Sequence, residues 1–276
     1  MNRLDINRQK QVVAALVEGN SLRATARMTG VARMTIEKLL RDLGVACAKM
    51  QDAAIRNLTC QRIEADEIWA FCGAKEKNAT AEQKNQGWGD IWTWTAIDAD
   101  SKLIVSYLVG DRNASCATRF MKDVASRVSN RIQLTTDGFK PYFWAVDEAF
   151  AGDIDYAVLV KIYGKLPGND QETRYSPAQC IGMKMDIVNG SPDLALASTS
   201  YVERQNLTMR MSMRRFTRLT NGFSKKVENH AHAVSLHFAY YNFCKIHSTL
   251  RTTPAMAAGI TNKLWEIEDL LELLDK

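Results

Sequence analysis

The sequence predicts an α/β protein in which a mixed five-stranded sheet, flanked by helices, follows a small helical domain. Three observations predict this class. Apolar runs of strand length occur between residues 63 and 162. Helix-length segments, with apolar residues three and four positions apart, stand before the first run and between the later ones. The chain of 276 residues is long enough for one large and one small domain.

Residues 1–44 are predicted to form three short helices. The apolar spacing places them at 9–17, 22–28 and about 32–43. Gly44 is expected to stop the third helix, because glycine is the residue most often found just past a helix end.

The second and third of these helices are joined by a turn that contains glycine, which is typical of a helix-turn-helix. Such a motif lays its second helix in the major groove of DNA. The residues expected to read bases are Arg33, Met34, Thr35 and Lys38, and those expected to contact phosphates are Arg23 and Arg27. A plain three-helix bundle that binds another protein is the alternative, but the basic residues on these two helices favour DNA.

The strands follow in order along the rest of the chain. The first is apolar on both of its alternating faces, so it is expected to be a central strand covered on both sides. The second and third are separated by a short Asp-rich turn and form a predicted hairpin. The five predicted strands are 63–72, 91–97, 103–109, 131–136 and 156–162.

Helices are predicted between and after the later strands. One covers 114–128, a second begins at Pro141, and a third begins near Ser200. The stretch of about 164–197 is rich in Gly, Pro, Asn and Asp and is predicted to be an inserted, partly exposed segment.

Three carboxylates stand at the edges of these elements. Asp66 lies within the apolar first strand, where an unpaired carboxylate is costly and needs a partner or a metal ion. Asp137 follows the fourth strand, and Glu203 lies in the first turn of the last helix. Glu67 should point to the opposite face from Asp66 and is the reserve candidate. Asp137 and Glu203 also have structural alternatives. Asp137 precedes a glycine, as in an ordinary turn, and Glu203 follows Ser200 at the spacing of a capping box.

Asp66, Asp137 and Glu203 together suit two divalent ions, Mg²⁺ or Mn²⁺, which two-metal phosphoryl-transfer sites hold roughly 3.5–4 Å apart. Asn206 and Arg210 share a helical face with Glu203. Arg210 is expected to grip a DNA phosphate, and Asn206 to contact DNA or to orient Glu203.

The net charge of +5 is unevenly distributed. Residues 1–60 carry ten basic and five acidic side chains, and 204–226 carry no acid. Two basic zones fit a polyanionic partner such as DNA, although a solvated helix face would give either zone alone. The basic residues of the second zone are Arg204, Arg210, Arg214, Arg215, Arg218, Lys225 and Lys226.

Several classes of protein are not expected. No apolar run approaches the roughly 18 residues that a membrane span requires, and the N-terminus lacks the apolar core of a signal peptide. The six cysteines are scattered without C-x-x-C spacing, which predicts reduced thiols in a cytosolic protein and no zinc knuckle.

The predicted order of elements is that of the ribonuclease H-like fold. Three motifs extend the likeness, namely Asp66-Glu67-Ile68-Trp69, Thr136-Asp137-Gly138 and the segment from Tyr201 to Arg210. On these motifs the chain resembles DDE transposases of the insertion-sequence-one type over roughly residues 61–258. The 66 positions between Asp137 and Glu203 exceed the spacing typical of many such enzymes, consistent with the predicted insertion.

The resemblance implies metal-dependent cleavage of insertion-sequence ends and strand transfer, with Asp66, Asp137 and Glu203 as catalytic metal ligands. It implies double-stranded DNA, as element ends and as target, and a homodimer or higher oligomer to hold two ends. The expected location is a prokaryotic cytoplasm, with the protein nucleoid-associated when bound to DNA. A DNA-binding regulator with an inactive core, and a ribonuclease H-like nuclease or resolvase, are the alternatives.

The predicted domains are a helix-turn-helix domain with connector (1–58), a catalytic core (59–220) and a C-terminal helical segment (221–276).

Overall fold

The computed structural model describes residues 4–164, 179–217 and 220–275. Three helices come first: α1 (Ile6–Val17), α2 (Leu22–Thr29) and α3 (Arg33–Ala54). The Ser21 hydroxyl caps α2 by accepting a hydrogen bond from the Ala24 amide. Gly30 ends α2 with a φ of 67°, so the glycine-containing turn predicted between α2 and α3 is present.

The third helix is longer than predicted, and Gly44 does not end it. Instead, α3 continues to Ala54, so most of the expected connector is helical. A Cβ atom at position 44 would lie 2.5 Å from the carbonyl oxygen of His232. Gly44 is thus in the helix interior because another helix passes too close for any side chain, and not because it is a helix stop.

Further helices follow the first three along the chain. Pro141 occupies the first turn of its helix, as predicted. These helices are α4 (Ala81–Asn85), α5 (Ala114–Ala125), α6 (Pro141–Phe150), α7 (Ser200–Ser212), α8 (Val227–Ala239), α9 (Pro254–Ala257) and α10 (Ile267–Glu272).

The sheet of the described residues has six strands, in the spatial order β3-β2-β1-β4-β5-β6. β1 is central, as its two apolar faces predict. β4 is parallel to both β1 and β5, and the other neighbours are antiparallel. The strands are β1 (Arg62–Cys72), β2 (Gly89–Asp98), β3 (Ile104–Gly110), β4 (Gln133–Thr136), β5 (Asp155–Gly164) and β6 (Gln179–Asn189).

The prediction of five strands is wrong by one. β6 lies within the predicted insertion and pairs antiparallel with β5. Its composition did not indicate a strand, because half-exposed edge pairing leaves little hydrophobic pattern. Residues 165–178 of the insertion lie outside the described part of the chain. The mixed sheet flanked by helices is consistent with the expected ribonuclease H-like fold.

Both faces of the sheet are covered by apolar side chains. On one face, Trp94 of β2 packs against Phe120 of α5 and Tyr142 of α6. On the other face, Ile68 of β1 belongs to a cluster with Val202 of α7. This sandwiching holds β1 rigidly between two helical layers, and β1 carries Asp66.

A third apolar cluster joins the two ends of the chain. It includes Val13 of α1, Leu43 of α3, Leu236 of α8 and Leu270 of α10. The N-terminal helices therefore pack on the C-terminal segment, while the predicted domain boundary at residue 58 remains a prediction. None of the described helices is long and apolar enough to cross a membrane.

Candidate metal centre

Strand register brings Asp66 and Asp137 side by side. The parallel pairing of β1 with β4 ends where Ala65 faces Thr136. The next residue in each case is the aspartate, Asp66 within β1 and Asp137 just past the end of β4, so the two carboxylates are level where the pairing ends. The carboxyl ends of parallel strands form the crevice in which α/β proteins commonly bind ligands.

A third carboxylate joins these two. Among the described residues, a group of acidic side chains with ligand oxygens within 4.8 Å of one another consists of Asp66, Glu67 and Asp137. Asp66 bonds a residue of α7, whereas Glu67 bonds Arg112 on the other side, as the strand alternation predicts. Both side chains nevertheless reach Asp137 because it stands at the strand end between them.

Asp66 is held by two hydrogen bonds. Its Oδ1 atom accepts the backbone N–H of Glu67 at 2.7 Å, and its Oδ2 atom accepts the Asn206 amide at 2.8 Å. Burial first, and then the negative charges of Glu67, Asp137 and Glu203, raise the pKa of Asp66 to about 7. A bound cation would offset both effects, so this carboxylate is suited to a metal ion.

Arg112 partly neutralises the cluster. Its Nε atom donates to Glu67 Oε2 at 3.1 Å, and its Nη2 atom lies 3.7 Å from Asp137 Oδ2. Burial raises the pKa of Glu67, and the hydrogen bond from the Tyr142 hydroxyl and the charge of Arg112 oppose that shift. Sequence reasoning missed Arg112, which lies in the loop after β3, because no local pattern relates it to residues 45 positions away.

Glu203 lies on α7, apart from the group of three. Its carboxylate accepts Lys161 Nζ at 2.5 Å on both oxygens and the Thr199 hydroxyl at 2.7 Å. It is close enough to Asp66 to contribute to that residue's raised pKa. Thr199 precedes the first residue of α7, so the alternative capping box from Ser200 does not form.

The start of α7 is fixed by β1. Oε2 of Glu64 accepts the backbone N–H groups of Tyr201 and Val202 at 2.7 and 3.0 Å. Burial raises the pKa of Glu64 to about 7. Asn206, expected to contact DNA or to orient Glu203, instead uses its amide to hold Asp66.

The residues expected to bind DNA lie on the N-terminal helices and around α7. Arg214 is exposed, while Arg215 is partly buried and donates to the Ser224 hydroxyl at 2.7 Å. Arg210 is partly exposed, and Arg218 lies outside the described residues. The other residues expected to bind DNA have exposed side chains on α2, α3 and α7, and they are Arg23, Arg27, Arg33, Met34, Thr35, Lys38 and Arg204. Their contact with DNA remains a prediction.

Comparison with known proteins finds matches among solved structures only. No protein-family model matches the chain, and no curated protein is similar to it. Among solved structures, the chain is similar to the Mos1 transposase paired-end complex with left transposon end, at 11% identity and a TM-score of 0.24. That match covers 55% of this chain and 58% of the Mos1 chain. A second similar structure is the piggyBac transposase synaptic complex with hairpin DNA, at 10% identity and a TM-score of 0.38. That match covers 99% of this chain and 71% of the piggyBac chain.

Proposed function

We propose that this protein is a DNA transposase of the DDE type, which cleaves the ends of an insertion sequence and joins them to target DNA. The observation that carries the proposal is the cluster of Asp66, Glu67 and Asp137 where β1 and β4 separate. Three acidic groups at the centre of a sheet, one with a pKa raised to about 7, are costly unless a cation binds them.

The side chains fit a hard divalent ion. The donors are all carboxylate oxygens, which suit Mg²⁺ or Mn²⁺ and not the softer metals. Asp66 and Asp137 would hold one ion with Glu67 beside it, and Glu203 would hold a second after Lys161 releases it. When bound, such ions activate an attacking oxygen and stabilise the leaving one in phosphodiester chemistry.

The remaining residues have positioning roles in this proposal. Asn206 keeps Asp66 oriented toward the crevice, since its amide holds one carboxylate oxygen. Arg112 balances the charge of Glu67 and Asp137 and stands where a substrate phosphate would approach. Glu64 fixes the start of the helix that presents Glu203 and Asn206.

DNA recognition would come from the N-terminal helices. We propose that α2 and α3 form a helix-turn-helix, with Arg33, Thr35 and Lys38 toward bases and Arg23 and Arg27 toward phosphates. Their exposed side chains support this role. Two element ends must be joined in one event, so a homodimer or a higher oligomer is part of the proposal.

A strand-transfer assay tests this function. Labelled double-stranded ends of the encoding element would be incubated with Mg²⁺ or Mn²⁺ and wild type, Asp66→Asn, Asp137→Asn or Glu203→Gln. The control is Glu82→Gln, which changes an exposed glutamate on α4. Joined products from wild type and the control alone are the expected result. Nicks without joining would favour a nuclease or resolvase, and DNA binding without any cleavage would favour a regulator.

A further inference from the structure

The two basic zones of the sequence meet in one cleft. It has a volume of about 760 Å³ and lies between the α2–α3 pair and the segment that follows α7. Among the described residues, its acidic lining is Glu37, whose carboxylate accepts a hydrogen bond from Asn229. The cleft is therefore strongly positive. Its basic lining residues are Arg23, Arg27, Arg33, Arg214, Arg215 and Lys225.

A close backbone contact fixes the two walls relative to each other. The α1–α2 turn contains Gly19, whose φ of 83° lies in the left-handed region that favours glycine. A Cβ atom there would lie 3.1 Å from the carbonyl oxygen of Met211, near the end of α7. The N-terminal wall is thus packed directly on the helix that carries Glu203.

An unpartnered polar side chain also lines the cleft. His237 is only 5% exposed, and neither of its ring nitrogens has a hydrogen-bond partner among the described residues. Burial lowers its pKa to about 3, so the ring is neutral and one nitrogen carries a proton that it can donate. Both ring nitrogens are enclosed by the protein, so the groups that can reach a ligand in the cleft are the basic side chains of its two walls.

We propose that this cleft binds the sugar-phosphate backbone of DNA, so that both basic zones of one protomer hold the same DNA segment. The proposal rests on the function proposed above and adds a second contact region to it. Phosphate oxygens would accept hydrogen bonds from Arg23 and Arg27 on one wall and from Arg214 on the other, since they suit guanidinium geometry.

The geometry of α7 sets the distance between this cleft and the carboxylates. Glu203 and Ser212, which lines the cleft, are nine positions apart on one helix, or about 14 Å at roughly 1.5 Å per residue. DNA rises about 3.4 Å per nucleotide of one strand. A duplex whose axis runs along α7 would place the phosphates in the cleft about four nucleotides from the phosphodiester at the carboxylates.

Binding measurements without metal ions test the cleft separately from catalysis. Fluorescence anisotropy with a labelled duplex in chelator would compare wild type with Arg27→Ala and Arg214→Ala, which lie on opposite walls. Each change should weaken binding and reduce the slope of log affinity against log salt by about 0.9 for each phosphate that the variant no longer neutralises. Arg41→Ala is the matched control, because Arg41 is exposed on α3 outside the cleft.

Three other outcomes would overturn the proposal. Unchanged binding in Arg214→Ala would show that the second wall does not touch DNA. A loss in Lys38→Ala without any loss in Arg27→Ala and Arg214→Ala would place DNA on the outer face of α3. Calorimetric binding of inorganic tripolyphosphate, lost in Arg27→Ala while duplex binding is unchanged, would identify a free phosphate ligand instead.

Failure of the proposed function gives a different result. Wild type could neither cut nor join DNA while Arg27→Ala and Arg214→Ala both lose binding. That result would support the cleft as a DNA-binding site and would contradict the transposase proposal. Glu82→Gln should keep the wild-type salt slope in either case, since Glu82 is exposed and belongs neither to the cleft nor to the carboxylate cluster.

Discussion

At the scale of single residues, Asp66 combines two features that usually exclude each other. It belongs to a central strand between two apolar layers, and it carries an ionisable group beside two more carboxylates. Arg112 lies within ion-pair distance of Glu67 and Asp137. Within the described part of the chain, the donors to Asp66 are neutral groups, the Glu67 backbone and the Asn206 amide.

Metal binding should therefore depend on pH. The raised pKa of Asp66, about 7, means that a proton must leave before the carboxylate binds an ion. Affinity for Mn²⁺ should be greatest above pH 7 and fall about tenfold per pH unit below it, as one proton per ion is released. Calorimetry in buffers of different ionisation enthalpy measures both the affinity for Mn²⁺ and the number of protons released per ion. A flat profile between pH 5.5 and about 7 would contradict the assignment of Asp66 as a ligand.

Asn206 should matter for the metal although its side chain is not a carboxylate. Asn206→Ala removes the donor to Asp66, and losing such a supporting hydrogen bond typically costs about 10–100-fold in metal affinity. Mn²⁺ titration followed by calorimetry checks this. Asn85→Ala, at an exposed position at the end of α4, is the matched control and should bind as wild type does. Equal affinity in both variants would show that the amide does not support the site.

At the scale of elements, α7 connects the crevice to the basic cleft. Its first turn is held by Glu64 of β1, its middle by Asp66, and its last turn by the α1–α2 turn. These three attachments mean that a shift of α7 would move Glu203 and Asn206 together.

Glu64 should stabilise the protein through its oxygen and not through its charge. Glu64→Ala leaves two buried N–H groups of α7 without their acceptor, which should cost about 1–3 kcal/mol in the free energy of unfolding. Glu64→Gln keeps an acceptor oxygen and should lose less than about 1 kcal/mol. Urea unfolding measures both. A loss in Glu64→Gln as large as that in Glu64→Ala would show that the carboxylate itself is required.

The crossing of α3 and α8 depends on Gly44. Gly44→Ala should gain about 1 kcal/mol from helix propensity, but its Cβ atom would overlap the His232 backbone. Overpacking of this kind costs about 1–3 kcal/mol, so we expect a net loss in the free energy of unfolding. Thermal and urea unfolding would measure this loss. The control is Lys49→Ala, at an exposed site on α3, whose free energy of unfolding should stay within about 0.5 kcal/mol of wild type. A stabilised Gly44→Ala protein would contradict the close crossing.

At the scale of the whole molecule, the end segments of the chain share one apolar cluster with α8. That helix also carries His230 and His237, which are buried, and burial lowers the pKa of each to about 3. The folded state thus holds two neutral histidines, whereas the unfolded chain protonates them near pH 6.5. Between these values the unfolded state binds more protons, so stability from this source is lost as pH falls.

Removing one histidine should reduce this acid sensitivity. From pH 6 to pH 4, His237 should contribute about 1.4 kcal/mol of lost stability per pH unit, and His237→Gln should lack that contribution. The free energy of unfolding in urea, measured for both proteins across this range, gives the two slopes. Parallel slopes would mean that His237 titrates normally in the folded state. Burial also lowers the pKa of His247, but this ring is half-exposed, so His247→Gln should change the slope less than His237→Gln does.

The sequence by itself determined the features that depend on neighbouring residues. Alternation placed Asp66 in a central strand with Glu67 facing the other way, and a buried run ending in Asp137 placed that residue at a strand end. Pro141 marked the start of a helix correctly. These predictions succeeded because capping, strand alternation and burial are recorded within a few positions of one another.

Only the tertiary structure decided which distant groups meet. It placed Arg112 between Glu67 and Asp137, paired Lys161 with Glu203, and gave Gly44 a packing role within a helix. It also added β6 as an edge strand. Each of these depends on contact between segments far apart in the chain, where burial, charge pairing and close approach leave no periodic signal in the sequence.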